Sequence, residues 1–305
     1  MVGIQRKETV MSDIKIVVDT GSDIPEEILE KYDIGIISFI TLFGEKEYVQ
    51  RRDITNEQFL DMQEQFNGVP RSSQTPYADM YDYLKKETDE HESVIYFTLS
   101  SAASGQYNTA CLVREEILEQ NPDAKLYIVD SYKFSLYIAQ TAVHAAEMVA
   151  AGKSVEEIIE ECEQYIVSWR CYLLVDTLEY LQKGGRLSKT AAFVGTLLDI
   201  KPILTIENGL VESLDKLRGK KKLMHKLVEK IKEDEDVDFE NPEFLIVESD
   251  KKKYAEAMEV LKEEFGEDVK ITMHGEFSPL IATHVGRGAL AIIPRIKSGF
   301  KYKQK

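Results

Sequence analysis

Short, continuously apolar runs recur along the first half of this chain, and each gives way at once to small hydroxyl, acidic or glycine residues that lead into a helical stretch. Residues 14–18 run into Asp19-Thr20-Gly21-Ser22-Asp23, residues 94–99 into Ser100-Ser101-Ala102-Ala103-Ser104-Gly105, and residues 126–129 into Asp130-Ser131. A strand that is apolar on both faces has to be covered on both faces. Such strands alternating with helices form a parallel sheet between two helical layers. Pro25 stands where the first helix begins, with Glu26 and Glu27 at the positive end of its dipole. The helix after Ser131 runs to about Ala151 and ends at Gly152.

The second half has a different rhythm. Ser154 opens a helix whose stripe is Val155, Ile158, Ile159, Cys162 and Ile166. Residues 203–207 and 210–214 flank Asn208-Gly209, the strongest short hairpin signal. Residues 173–175, 244–248, 269–273 and 289–293 read as strands, and residues 221–234 and 251–265 as helices. The expected fold class is α/β plus α+β: a parallel-sheet N-terminal domain and a second domain with an antiparallel sheet. The expected division is a leader over 1–11, an α/β domain over 12–162 and an α+β domain over 163–300. A chain of 305 residues is long enough for two cores.

Charge narrows the partners. Lys and Arg number 38 against 54 Asp and Glu, a net charge of −16. A phosphate-backbone binder or an anionic-membrane binder needs a basic face, so neither nucleic acid nor a membrane surface is expected. The three cysteines, Cys111, Cys162 and Cys171, form no C-x-x-C pair, which points to a reducing compartment. No apolar run is long enough to span a bilayer, and the first ten residues lack a signal-peptide core. The expected location is the cytoplasm.

Ligands of open α/β sheets bind beyond the carboxyl ends of the strands. There the three clusters, joined by Arg71-Ser72-Ser73-Gln74-Thr75-Pro76, offer hydroxyls and helix-end amides suited to an anion. Each cluster alone is explained by helix capping; four at one edge point to a site. Dinucleotide, Walker and nucleophile-elbow motifs are absent, and the five histidines lack metal-ligand spacing. No metal, cofactor or catalytic residue is expected. In Lys183-Gly184-Gly185-Arg186-Leu187-Ser188 the glycines read as a helix C-cap and Ser188 as the next N-cap, with Arg186 a candidate for a buried ion pair. The basic run 216–222 reads as a solvated face. His284, in an apolar segment before Gly286-Arg287-Gly288, is either a core histidine or a donor to an anion.

In their order and spacing, VVDTGSDIP, RSSQTP, LSSAASGQYNTA, IVDSYKFS, LEYLQKGGRLSK, VGTLLDIKPIL and SPLIATHVGRGALAI resemble the DegV family of fatty-acid-binding proteins, the lipid-carrying subunits of bacterial fatty acid kinase. The resemblance implies a long-chain fatty acid enclosed between two domains. It implies that Ser72 and Ser104 hold the carboxylate, with His284 near the headgroup. Arg186 matches the arginine of the family's K-G-G-R, and Arg218 an arginine implicated in the kinase reaction. Ser73 and Ser101 are supporting candidates. It further implies no activity in isolation and an ATP-dependent kinase as partner. Ser72 stands where the family has Thr, Thr75-Pro76 where it has Pro-Ser, Ala102-Ala103 where it has Gly-Leu, and Arg287 where it has a small residue. The alternatives are a phosphotransferase, since the α/β domain is similar to that of dihydroxyacetone kinases, a hydrolase pairing Ser104 with His284, and a regulatory binding module.

Overall fold

The computed structural model describes residues 13–188, 200–219 and 222–297. The expected leader lies outside them, as does the start of the VGTLLDIKPIL landmark. In chain order the first half forms β1 (Ile14–Asp19), α1 (Glu26–Tyr32), β2 (Gly35–Ile37), β3 (Ile40–Phe43), β4 (Lys46–Val49), α2 (Asn56–Gln65), β5 (Arg71–Ser73), α3 (Tyr77–Glu90), β6 (Ser93–Thr98), α4 (Gln106–Gln120), β7 (Leu126–Asp130), α5 (Leu136–Ala150) and α6 (Val155–Tyr165). The second half forms β8 (Tyr172–Leu174), α7 (Glu179–Gly184), β9 (Ile200–Glu207), β10 (Leu210–Arg218), α8 (Leu223–Lys232), β11 (Glu243–Glu248), α9 (Lys251–Phe265), β12 (Lys270–Glu276), α10 (Pro279–Val285) and β13 (Leu290–Pro294).

The expected parallel sheet is present, in the order β2-β1-β6-β7, with every pair parallel. Strand alternation sorts its side chains into two layers. Val17, Val94 and Tyr96 pack with Met80 and Leu84 of α3 and Ala110, Val113 and Ile117 of α4. Ile16, Val18, Ile95 and Phe97 face the other way, into a core that holds α5. The second sheet, β10-β9-β8-β13-β11-β12, is sorted by the same period of two. Leu173, Leu245, Val247, Ala291 and Ile293 enter the α5 core. Tyr172, Leu174, Ile246, Leu290 and Ile292 enter a third core with α8 and α9.

The middle layer is therefore shared by both halves. Helix α5 suits it because Leu136 through Val143 are all buried, and a helix stretch buried on every side needs neighbours on every side; its polar Gln140 and Thr141 bond to Tyr165 and to the Tyr137 carbonyl. The division expected between residues 162 and 163 falls inside α6, where Cys162 packs into this shared core. A helix interior is not a linker.

Two features extend the expected layout. The N-terminal half also contains a three-stranded antiparallel sheet, β4-β3-β5. Its strands are three or four residues long and β4 is polar, so they left no periodic signal. The second sheet is mixed rather than antiparallel, because β12 pairs parallel to β11.

The Asn208-Gly209 hairpin is present, with φ of 49° and 74° at its two turn residues. Its tip rests on the serine loop of the other half: Ser100 donates to the Gly209 carbonyl at 2.9 Å. A Cβ at Gly209 would lie 2.3 Å from Ser100 Oγ and 2.8 Å from the Ala102 Cβ. Gly209→Ala is expected to cost about 1–3 kcal/mol, from the left-handed backbone and the collision together. Urea unfolding of the variant against wild type measures it.

Candidate functional site, a hydroxyl-lined cavity in the shared layer

The middle layer encloses a cavity of about 280 Å³. The inner faces of β8, β11 and β13 line it with Leu173, Val247, Ala291 and Ile293, joined by Tyr137, Cys171 and Leu280. Its polar lining is Ser72, Ser73, Gln74, Ser104, Gly105, Ser135, Arg186 and His284.

Ser72 and His284 are tied to each other, while Ser104 and Arg186 bond to nearby backbone. Ser72, on β5 opposite Thr41, has its hydroxyl 3.3 Å from His284 Nε2. His284 sits in the last turn of α10, and its Nδ1 is buried without a partner. Gly184 closes over the ring: a Cβ there would lie 2.3 Å from Nδ1. Burial, with the Arg186 charge adding to it, pushes the imidazole down to about 4, so it is neutral at pH 7. Arg186 Nε donates to the Ala103 carbonyl at 3.0 Å, and its Nη1 donates to the Gly184 carbonyl. Ser104 Oγ accepts from the Gln106 amide at 3.2 Å, just before α4. Gly105, the N-cap of α4, offers no capping side chain, so Ser104 Oγ meets the first amide of that helix, whose positive end lies beside the cavity.

The structure thus brings Ser72, Ser73, Ser104, Arg186 and His284 to one cavity. Ser101 is not in its lining; its backbone amide binds Asp130 Oδ1 at 3.1 Å. Arg218, at the end of β10, is exposed and does not line the cavity. The ion pair expected of Arg186 is not formed, since its partners are backbone carbonyls and no carboxylate among the described residues pairs with it. Gly185 caps α7 with φ 71°, as expected, and the helix expected after Ser188 lies outside the described residues.

Of the four clusters, two are structural turns. Asp19 accepts from the Gly21 and Leu99 amides at 2.9 and 2.8 Å, and Asp130 from the Ser101 and Tyr132 amides. The 71–76 cluster is not at the parallel sheet's edge at all, because its first three residues form β5 of the antiparallel sheet. Ala102 has no positive φ, so the absence of glycine there strains nothing. Arg287 makes ion pairs with Asp61 and Glu64 of α2 at 2.5 and 2.8 Å. Sequence reasoning missed Ser135, whose φ of 59° is unusual for a residue with a side chain. It also missed Gln74, although the quoted RSSQTP motif contains it.

The site is an apolar chamber whose polar side chains are hydroxyls, one carboxamide, one guanidinium and a neutral imidazole. The DegV family model matches residues 13–295, and the chain belongs to that family. A fatty acid-binding protein of Thermotoga maritima is 35% identical over 226 residues, covering 72% of this chain and 77% of that protein. The crystal structure of DegV from Bacillus subtilis, described as a fatty acid binding protein, is 28% identical with a TM-score of 0.80 and covers 94% of this chain and 100% of its own. A DegV lipid binding protein of Thermotoga maritima is 29% identical with a TM-score of 0.78, at the same coverage. Among the described residues there is no group of metal-ligating side chains, and no helix is long and apolar enough to cross a membrane.

Asp23, in the turn before α1, accepts from the Ser278 amide at 2.8 Å and is pushed up to about 7 by burial. A carboxyl whose folded pKa exceeds its unfolded value stabilises the fold in its protonated form. That contribution is complete below about pH 4 and is lost as pH rises through about 7. Asp23→Asn keeps an acceptor and tolerates the left-handed backbone. It is expected to flatten the fall in stability between those pH values, measured by urea unfolding at several pH values.

Proposed function

We propose that the chain binds one long-chain fatty acid in this cavity. The acyl chain lies along the apolar wall, and the carboxylate meets Ser72, Ser104 and His284, with Arg186 behind them. The observation that carries this reading is the one chamber that is apolar over β8, β11 and β13 and hydroxyl-lined where β5, the serine loop and α10 meet. The fatty-acid-binding relatives support it.

The energies agree with retention. About fourteen methylenes at about 0.8 kcal/mol each amount to roughly 11 kcal/mol before the costs of association. A buried carboxylate needs compensation, and each charge-assisted bond returns about 1.5–3 kcal/mol. Arg186 donates here only to carbonyls, so its charge is available to offset that of the ligand.

The same site presents the carboxylate, or an acyl phosphate, to a separate ATP-dependent kinase in the cytoplasm. Arg218, exposed and outside the cavity, is free to meet that partner. The hydrolase alternative paired Ser104 with His284. Instead His284 lies against Ser72, and no carboxylate among the described residues orients its Nδ1.

Purified protein is expected to release a long-chain fatty acid into organic solvent, detected by mass spectrometry. Ser72→Ala with Ser104→Ala is expected to weaken palmitate binding by about tenfold or more. No extracted lipid, together with no binding of added palmitate or oleate, would overturn the reading. A carboxylate beside His284 raises its pKa above about 4, so binding takes up a proton as pH falls towards that value and tightens with it. Calorimetry at pH 6 in two buffers of different ionisation enthalpy is expected to show this uptake, and His284→Gln to abolish it.

A further inference from the structure

Behind the cavity lies a buried side-chain network centred on Gln106, whose backbone amide also donates to Ser104 Oγ of the site. Gln106, the first residue of α4, is fully buried. Its Oε1 accepts from the Thr75 amide at 3.1 Å. Its Nε2 donates to Thr75 Oγ1 at 3.0 Å and to the Tyr96 hydroxyl at 2.9 Å. Thr75 Oγ1 in turn donates to the Ser38 carbonyl at 2.9 Å, and Tyr96 donates to Asp19 Oδ2 at 3.3 Å. The Thr75 amide can only donate, which fixes the orientation of the Gln106 amide and the direction of every bond after it. All donors and acceptors of the Gln106 side chain are used. A fully satisfied buried network holds its members to one geometry.

Its members flank both serine segments. Thr75 lies three residues after Ser72, and Gln106 two after Ser104. Asp19 grips the Leu99 amide, at the head of the serine loop, while Gln106 anchors the loop's far end. A second tie joins the same segments: Gln74 Nε2 donates to Thr109 at 2.7 Å, and a Cβ on Gly105 would lie 2.3 Å from Gln74 Oε1. Nothing else among the described hydrogen bonds joins the segment 71–76 to the serine loop or the first turn of α4.

We propose that Gln106 is the positioning residue of the headgroup site: by clamping Thr75 through two bonds it sets the spacing of the Ser72 and Ser104 hydroxyls. Thr75 stands at a position where proline would fix the backbone but have no N–H to offer. Here the amide clamp supplies the rigidity. Gln106 touches no ligand, so its effect falls on headgroup recognition and leaves the apolar wall alone.

The inference rests on the proposed fatty-acid binding, and the test separates the two. Affinities for palmitic acid and for methyl palmitate are measured on wild type, Gln106→Met, Thr75→Val and Thr75→Ser, each checked for folding by circular dichroism. Wild type is expected to prefer the acid. Gln106→Met is expected to lose about tenfold of that preference with ester affinity changed less than about twofold. Thr75→Val is expected to lose part of it, and Thr75→Ser to retain it. A merely structural role would weaken acid and ester alike. An unchanged preference in Gln106→Met, or parallel loss of both ligands, overturns the positioning role while the fatty-acid reading stands. If Gln106→Met does not fold, equal preference in Thr75→Val and Thr75→Ser overturns it. A wild type that binds neither ligand overturns the fatty-acid reading itself.

Discussion

The architecture depends on one burial requirement, that of α5. Nine residues of this helix, Leu136 through Val143 and Ala145, are buried, so its first two turns present no side to water, and exposure begins only at Glu147. A helix of that kind needs apolar surface all round. The parallel sheet supplies it on one side and the mixed sheet on the other. Both sheets are amphipathic only in the sense that their two faces enter different cores, so each also needs an outer helical layer, α3 and α4 on one and α8 and α9 on the other. The chamber for a ligand is the part of the middle layer that side chains do not fill.

Where the chamber meets polar residues, the site is assembled from distant parts of the chain. Ser72 comes from a short antiparallel strand, Ser104 from the loop before α4, Arg186 from the turn after α7 and His284 from the end of α10. Cross-chain bonds hold them: Arg186 to Ala103, His284 to Ser72, and the Ser278 amide at the start of α10 to Asp23. The resulting field leans positive, with a guanidinium bonded to carbonyls and the N-terminus of α4 beside it. The imidazole stays neutral because burial and the same guanidinium both oppose its protonation.

Much of this was legible in the residues because the signals are local. Three strands of the parallel sheet, β1, β6 and β7, are visible as apolar runs, whereas the three-residue β2 is not; the hairpin is marked by Asn208-Gly209 and the end of α5 by Gly152, which has φ 75°. What failed was long-range. Ser72 was placed at a strand edge with three other clusters, yet it lies on β5, whose identity depends on pairing with β3 thirty residues earlier. The clusters that open at Asp19 and Asp130 count by sequence towards the site, yet these carboxylates accept from nearby amides and build turns. Arg186 was expected to find a carboxylate and found two carbonyls.

The sequence by itself determined the layers, because strand and helix periods are properties of neighbouring residues. It also determined which residue types line the site, since hydroxyls and glycines at segment ends stand out locally. Only the tertiary structure decided that Ser72, Ser104, Arg186 and His284 share one wall while Ser101 and Arg218 do not. It alone showed Gln106 joining the two serine segments, because a glutamine that opens a helix carries no local mark of the partner it will clamp.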